Sequence, residues 1–257
     1  MIQSSASDQQ LLELQRTLYA SRNPTRRWLH SSRRDWILDA IRHHKTDGMH
    51  CALEIGPGSG VYLPTLASLF DEVIASDIAS AFLAQARHLA HTHTNIKVTE
   101  DDIAHSVFCG ASFDLILCSE VIEHIEDSAV ALAQIGRIIK PNGVLILSTP
   151  QKYSLLEMTS KVAFLPGVIE LVRRVYGEPI LETGHINLLT AKAVQAQLRQ
   201  AGFALRECHV SGLYLPLVAE FFGHFGLRCA FTGERILKRM GLTQVLWTQF
   251  YVAVRSG

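Results

Sequence analysis

Between residues 50 and 150 the chain alternates short apolar runs with helical patterns, and no other feature narrows its fold as much. The runs are Cys51–Ile55, Val73–Asp77, Ile96–Thr99, Phe113–Cys118 and Val144–Ser148. Leu63–Leu69, Ala79–His91 and Ser128–Ile139 between them place apolar residues at helical spacing. Pro141-Asn142-Gly143 supplies the turn into the fifth run. Several runs are apolar throughout, as parallel strands covered on both faces must be. The expectation is an α/β fold with a doubly wound, Rossmann-like sheet. Ligands of such sheets bind beyond the carboxyl ends of the strands.

The flanks complete one domain over 1–257. Residues 1–48 read as a helical preface. Leu11, Leu14 and Leu18 repeat at helical spacing, as do Ile37 and Ile41, and Ser32 with Asp35 looks like a capping box opening the second helix. Residues 49–150 form the core. Two apolar insertions follow, 151–190 and 213–243, both mostly helical, the first interrupted at Pro166-Gly167 and Gly177. Between them Ala191–Ala201 is a helix and Phe203–Val210 a sixth strand; Val245–Val254 is the last strand.

Composition sets limits. Of 257 residues, 48% are hydrophobic and 19% charged, which marks a core-forming chain. Lys+Arg and Asp+Glu are each 24, so a nucleic-acid partner, which favours a basic excess, is not expected. The basic excess of the preface is read as a solvated helical face. Five scattered cysteines without a C-x-x-C pair indicate reduced thiols, with Cys51 and Cys118 as small core residues. The start lacks the basic and apolar regions of a signal peptide. The longest apolar stretch, Leu213–Leu227, is broken by Glu220 and His224 and falls short of the ~20 residues a spanning helix needs. A soluble, cytoplasmic protein is expected.

The chemistry concentrates at strand ends. Glu54-Ile55-Gly56-Pro57-Gly58-Ser59-Gly60 follows the first strand, where glycines allow a tight turn and a close ligand approach. A dinucleotide fingerprint would place its third glycine at position 61, which is Val61. Glu54 would also repel a pyrophosphate, whereas it suits a cationic ligand. Asp77 closes the second strand, where an acid can accept from ribose hydroxyls. Glu100-Asp101-Asp102-Ile103 follows the third; Asp102 is favoured for an adenine amino group because Ile103 can pack on the ring. Ile78, Asp101 and Ser119 complete the set of cofactor-binding candidates.

These motifs resemble the class I methyltransferases that use S-adenosylmethionine (SAM), closest to the ubiquinone-biosynthesis O-methyltransferase branch (methyltransferase types 11 and 12). Glu54–Gly60, Asp77, Asp102, Phe113–Ile125 and Ile139–Val144 carry the resemblance, with a weaker echo in Gly184-His185 and Gly202-Phe203. The resemblance implies SAM as cofactor and a seven-stranded sheet whose last strand runs antiparallel. It also implies an aligned nucleophile and a base, for which Glu120, Glu123, His124 and His185 are the candidates. In ubiquinone-type and small-RNA 2′-O-methyltransferases a similar E-x-x-E-H cluster binds a divalent metal. Glu120, Glu123 and His124 are thus candidate ligands, joined by His185, for an ion such as Mg2+. The alternative is that Glu-His merely orders the loop. The remaining histidines, His43, His44, His88, His91 and His93, are read as surface residues.

Both insertions are apolar. Leu155, Leu156, Val162, Phe164, Leu165, Val168 and Ile169 carry this character in the first; Leu213, Tyr214, Leu215, Leu217, Phe221, Phe222, Phe225 and Leu227 carry it in the second. Beyond mutual packing, such surplus suits a small lipophilic acceptor methylated at a hydroxyl, or peripheral contact with a membrane. Arg173 and Arg174 stand where they could meet lipid phosphates. The competing functions are a SAM-binding module without catalysis and a metal-assisted RNA 2′-O-methyltransferase. A nicotinamide oxidoreductase is opposed by Val61 and Glu54.

Overall fold

The alternation in the sequence becomes a seven-stranded sheet in the computed structural model, which describes residues 8–163, 167, 169 and 184–256. The strands are β1 (Cys51–Ile55), β2 (Glu72–Asp77), β3 (Ile96–Glu100), β4 (Phe113–Ser119), β5 (Ile139–Pro150), β6 (Phe203–Ser211) and β7 (Thr248–Arg255). Their order is β3-β2-β1-β4-β5-β7-β6. β7 runs antiparallel to both its neighbours, while β1 to β5 are parallel. The last strand begins later than the sequence reading placed it, because Thr243–Val245 forms a 3-10 turn first.

The described helices are α1 (Asp8–Leu18), α2 (Pro24–His44), α3 (Leu63–Leu69), α4 (Ser80–Ala90), α5 (Ser128–Ile138), α6 (Leu155–Ala163), α7 (Ala191–Gln200) and α8 (Pro216–Arg239). Period-two alternation along the strands feeds two cores. Leu53, Ile116, Leu145 and Tyr251 face α5 and α7. Ala52, Leu115, Ile146 and Phe250 face α2 and α3. Cys118 is a buried core residue as expected, whereas Cys51 is half-buried.

The second helix does not open at a Ser32–Asp35 capping box. It begins at Pro24, capped by Asn23, whose side chain accepts from the Thr25 and Arg26 amides at 2.9 and 3.2 Å. Ser32 lies inside the helix and donates back to the Leu29 carbonyl. Asn23 also donates to the Ala219 carbonyl at 3.1 Å. Asn23→Ala is therefore expected to cost about 1 kcal/mol, read as a lowered Tm.

α8 is not one straight helix. Gly223 (φ 46°, ψ −119°) breaks it, and the chain doubles back there. A Cβ on Gly226 would lie 2.5 Å from the Val218 carbonyl oxygen, so only glycine fits that corner. Of the first insertion, Phe164, Leu165, Pro166, Val168, Arg173, Arg174 and Gly177 lie outside the described residues, as does the Val162 side chain. Among the described residues no helix is long and apolar enough to cross a membrane.

Candidate active site

Parallel register brings the glycine turn and the strand-end acids to one edge of the sheet. Ile55 pairs with Ser76 on one side and Cys118 on the other, and Asp77 pairs with Glu100. The Gly56 amide donates to the Ser76 carbonyl at 2.8 Å. Gly56 (φ 67°) and Gly60 (φ 76°) need the left-handed backbone, and their Cβ positions are taken by Val121 and Leu89. Pro57 is buried in the same turn, and its carbonyl accepts from the Gly60 amide at 2.7 Å. Gly58 faces Gln15 of α1, whose Oε1 accepts the Ser59 amide at 2.9 Å.

Buried polar atoms without partners collect here. Glu54 is 2% exposed and its Oε2 has no hydrogen-bond partner among the described residues. Burial pushes its carboxyl well above the usual range. Ser76 Oγ and Asp101 Oδ2 are likewise unpartnered. Asp101 Oδ1 accepts the Val107 amide at 2.9 Å. Asp102, in contrast, is half exposed. It accepts from the Ala104 amide and pairs with His105 at 3.0 Å, and that hydrogen bond lowers its pKa. Asp77 Oδ1 accepts the Ala79 amide at 2.8 Å, and Ile78 beside it is 69% exposed. Ile103 turns into the core instead of toward this edge.

Three strand ends thus present the buried Glu54 carboxyl, three further acids (Asp77, Asp101 and Asp102) and the exposed Ile78 side chain. This arrangement fits SAM. The unpartnered Glu54 carboxyl suits a cationic group, and a Cβ added at either Gly56 or Gly60 would crowd the turn.

Beyond β4 the chain departs from the sequence reading. Glu120 sits at φ 56°, a sparsely populated conformation that costs about 1–3 kcal/mol and is held by its surroundings. Its Oε2 accepts from Arg33 of α2 at 2.7 Å and its Oε1 from Ser148 at 3.0 Å; Ser119 joins through Ser148 at 3.0 Å. Arg33 lies over the Trp247 ring, 5.1 Å from its centroid. Burial is the largest influence and opposes the Arg33 charge, but Glu120, Tyr62, Tyr19 and Glu123 together outweigh it and raise the pKa.

Glu120 therefore belongs to an ion pair. Glu123, His124 and His185 are the residues brought together, with ligand atoms within 4.8 Å of one another. The Ile186 and Asn187 amides both donate to the Glu123 carbonyl at 3.0 Å, which clamps the His185 segment onto the turn after β4. Glu123 is fully buried. Its Oε2 accepts from Thr149 at 2.9 Å and its Oε1 is unpartnered; burial, then Glu120, pushes its pKa well up. Desolvation of the His124 ring, then His185, lowers the His124 pKa to about 4. His185 Nδ1 lies 3.3 Å from Glu157 Oε2 on α6. A set of one carboxylate and two imidazoles fits Mg2+ poorly, since Mg2+ takes oxygen ligands.

Sequence reading did not single out Arg33, Gln15 or Glu157. Arg33 carried a signal. Thr25, Leu29, Ile37 and Ile41 form the buried stripe of α2 at four-residue spacing, and Arg33 sits on that stripe. Gln15 and Glu157 carried none.

Similar proteins identify the family. Residues 13–207 match the family model described as a methyltransferase domain. An uncharacterised methyltransferase of Mycobacterium bovis is 30% identical over 45% of this chain and 56% of its own length. A ubiquinone-biosynthesis O-methyltransferase of Mesorhizobium japonicum is 31% identical over 38% of this chain and 39% of its own. The chain thus spans about half or less of these relatives. The fold is similar to that of magnesium protoporphyrin IX methyltransferase from Synechocystis with bound SAH (TM-score 0.62, 16% identity, 94% and 92% of the two chains). With a family model covering most of its length and a sheet whose strand ends fit the cofactor, the chain belongs to the SAM-dependent methyltransferases.

Proposed function

We propose that the protein transfers the methyl group of SAM to a hydroxyl oxygen of a small, apolar acceptor, with His185 taking the hydroxyl proton. The observation that carries this reading is the His185–Glu157 pair beside Glu123, an imidazole oriented by a buried acid. When bound, SAM supplies a methyl already activated on a sulfonium, so the chain's own tasks are alignment and proton removal. Glu54 balances the cofactor's positive charge, Asp77 accepts from the ribose, and Asp101 or Asp102 accepts from the adenine amino group. Ile78 covers the ring.

At the acceptor, Glu157 holds the His185 ring and stabilises the imidazolium that forms. Glu123, whose pKa burial pushes well up, keeps one unpartnered carboxyl oxygen beside this pair. His124 is neutral at pH 7 and leaves the proton to His185. Exposed Tyr153, Met158 and Ile186 flank this cluster in sequence and supply apolar surface for a lipophilic acceptor. The expected Mg2+ has no place in these steps, because Glu120 is held by Arg33.

Calorimetric titration with S-adenosylhomocysteine, with NADH in parallel, tests the cofactor; binding of NADH alone would sink the reading. Labelled SAM incubated with a lipid extract tests transfer. His185→Ala is expected to lower turnover at least ~100-fold while leaving S-adenosylhomocysteine affinity unchanged. Undiminished turnover in that variant would remove His185 from the chemistry.

A further inference from the structure

Away from the strand-end site, α2, β6 and α8 enclose an open cavity of about 700 Å³. Its walls are unusual in combining aromatic rings with cations. Trp28 and Phe231 meet at one end, ring centroids 4.5 Å apart, and Trp36 stacks on His209 at 6.0 Å. Arg228, Arg235 and Lys238 line the α8 side. Lys238 is engaged by Glu234 at 2.7 Å, and Glu234 is itself fixed by the Gly212 amide at 3.0 Å. Arg228 and Arg235 are exposed and have no ion-pair partner among the described residues.

The same helix carries a second feature at its Gly223 corner. Phe221, Phe222 and Phe225 are 65%, 58% and 62% exposed, and Leu217 beside them is 69% exposed. The corner is not loose. Arg26 of α2 pairs with Glu220 at 2.9 Å, Tyr214 donates to the same carboxylate at 2.5 Å, and Asn23 holds the Ala219 carbonyl. A fixed apolar apex thus stands next to a groove with two uncommitted guanidinium groups.

We propose that α8 docks on an anionic phospholipid surface, with the Phe221–Phe225 apex entering the acyl boundary and Arg228 and Arg235 binding headgroup phosphates in the groove. Charge complementarity chooses this occupant. A guanidinium pairs with phosphate in a two-pronged geometry, and an indole such as Trp28 favours the layer where apolar and wet regions meet. A soluble phosphate ester would use the groove but leave the phenylalanines in water. A second copy of this chain would cover the phenylalanines without needing the arginines. This inference goes beyond the methyl-transfer reading and does not rest on it.

The test is co-sedimentation of the full chain with vesicles of phosphatidylcholine alone and of phosphatidylcholine with one-third phosphatidylglycerol. Tryptophan emission and sedimentation velocity of the protein alone are followed alongside. At least tenfold tighter binding to the anionic vesicles is expected, with a blue-shifted emission. Arg228→Glu with Arg235→Glu should abolish that preference, and Phe221→Ser with Phe222→Ser should weaken binding to the anionic vesicles at least tenfold. S-adenosylhomocysteine affinity, measured on each variant, reports that the strand-end site is intact and keeps the two readings separate. Three results would overturn the docking: equal binding to neutral vesicles, binding of inorganic phosphate with none to vesicles, or self-association that the serine variants abolish.

Discussion

Arg33→Met is expected to destabilise the protein by about 3–5 kcal/mol, because it strands a carboxylate that was built around a cation. The two side chains are only 13% and 17% exposed, so water replaces little of the lost interaction. Glu120 also sits in a left-handed conformation that this pair and Ser148 help to hold. Removing Arg33 leaves both the charge and the backbone strain uncompensated. The double variant Arg33→Met with Glu120→Gln should recover most of the loss, since no unpaired charge remains. Urea unfolding of the two single variants and the double variant measures this coupling. Additive losses would mean that the pair contributes nothing as a pair. Because Glu120 adjoins the Glu123 cluster, the Arg33 variant should lose turnover as well.

Glu54→Gln is expected to weaken SAM binding by about 2–3 kcal/mol, roughly 30- to 150-fold in Kd. The same change should leave the unliganded protein as stable or more stable at pH 8. Both effects follow from burial. The folded-state pKa of Glu54 lies well above its unfolded value, so the folded protein holds a proton that the unfolded chain releases. Stability from this group is therefore complete below the unfolded pKa near 4.3 and is lost as pH rises through the folded pKa. Glu123 acts in the same sense. The Tm of the unliganded protein should fall from pH 5 toward pH 8, with a shallower slope in Glu54→Gln. Binding a cationic cofactor favours the ionised carboxylate, so wild-type affinity for SAM should rise over the same interval. An affinity indifferent to both the substitution and pH would place the cofactor's charge elsewhere.

Much of the cofactor edge was legible because local rules govern it. A strand must end where Gly56 to Gly60 turn, and parallel strands must deliver their carboxyl ends to one edge. Glu54, Asp77 and the Asp101–Asp102 pair could therefore be named as candidates before any contact was known. The choice between Asp101 and Asp102 could not, because burial distinguishes them: Asp101 keeps an unpartnered oxygen while Asp102 spends its oxygens on Ala104 and His105.

The cluster after β4 was legible only in part. Its E-x-x-E-H spacing singled out Glu120, Glu123 and His124 together, yet the structure divides them. Arg33, 87 positions earlier in the chain, takes Glu120, and His185, about 60 positions later, joins Glu123 and His124. Strand–helix order, the glycine turn and the strand-end acids follow from local sequence, because periodicity, backbone sterics and parallel register are properties of short segments. Which acid is paired, which is raised in pKa and which imidazole Glu157 orients emerge from long-range packing. Those outcomes depend on desolvation and on partners from α2, α6 and the segment after residue 183, which no local pattern encodes.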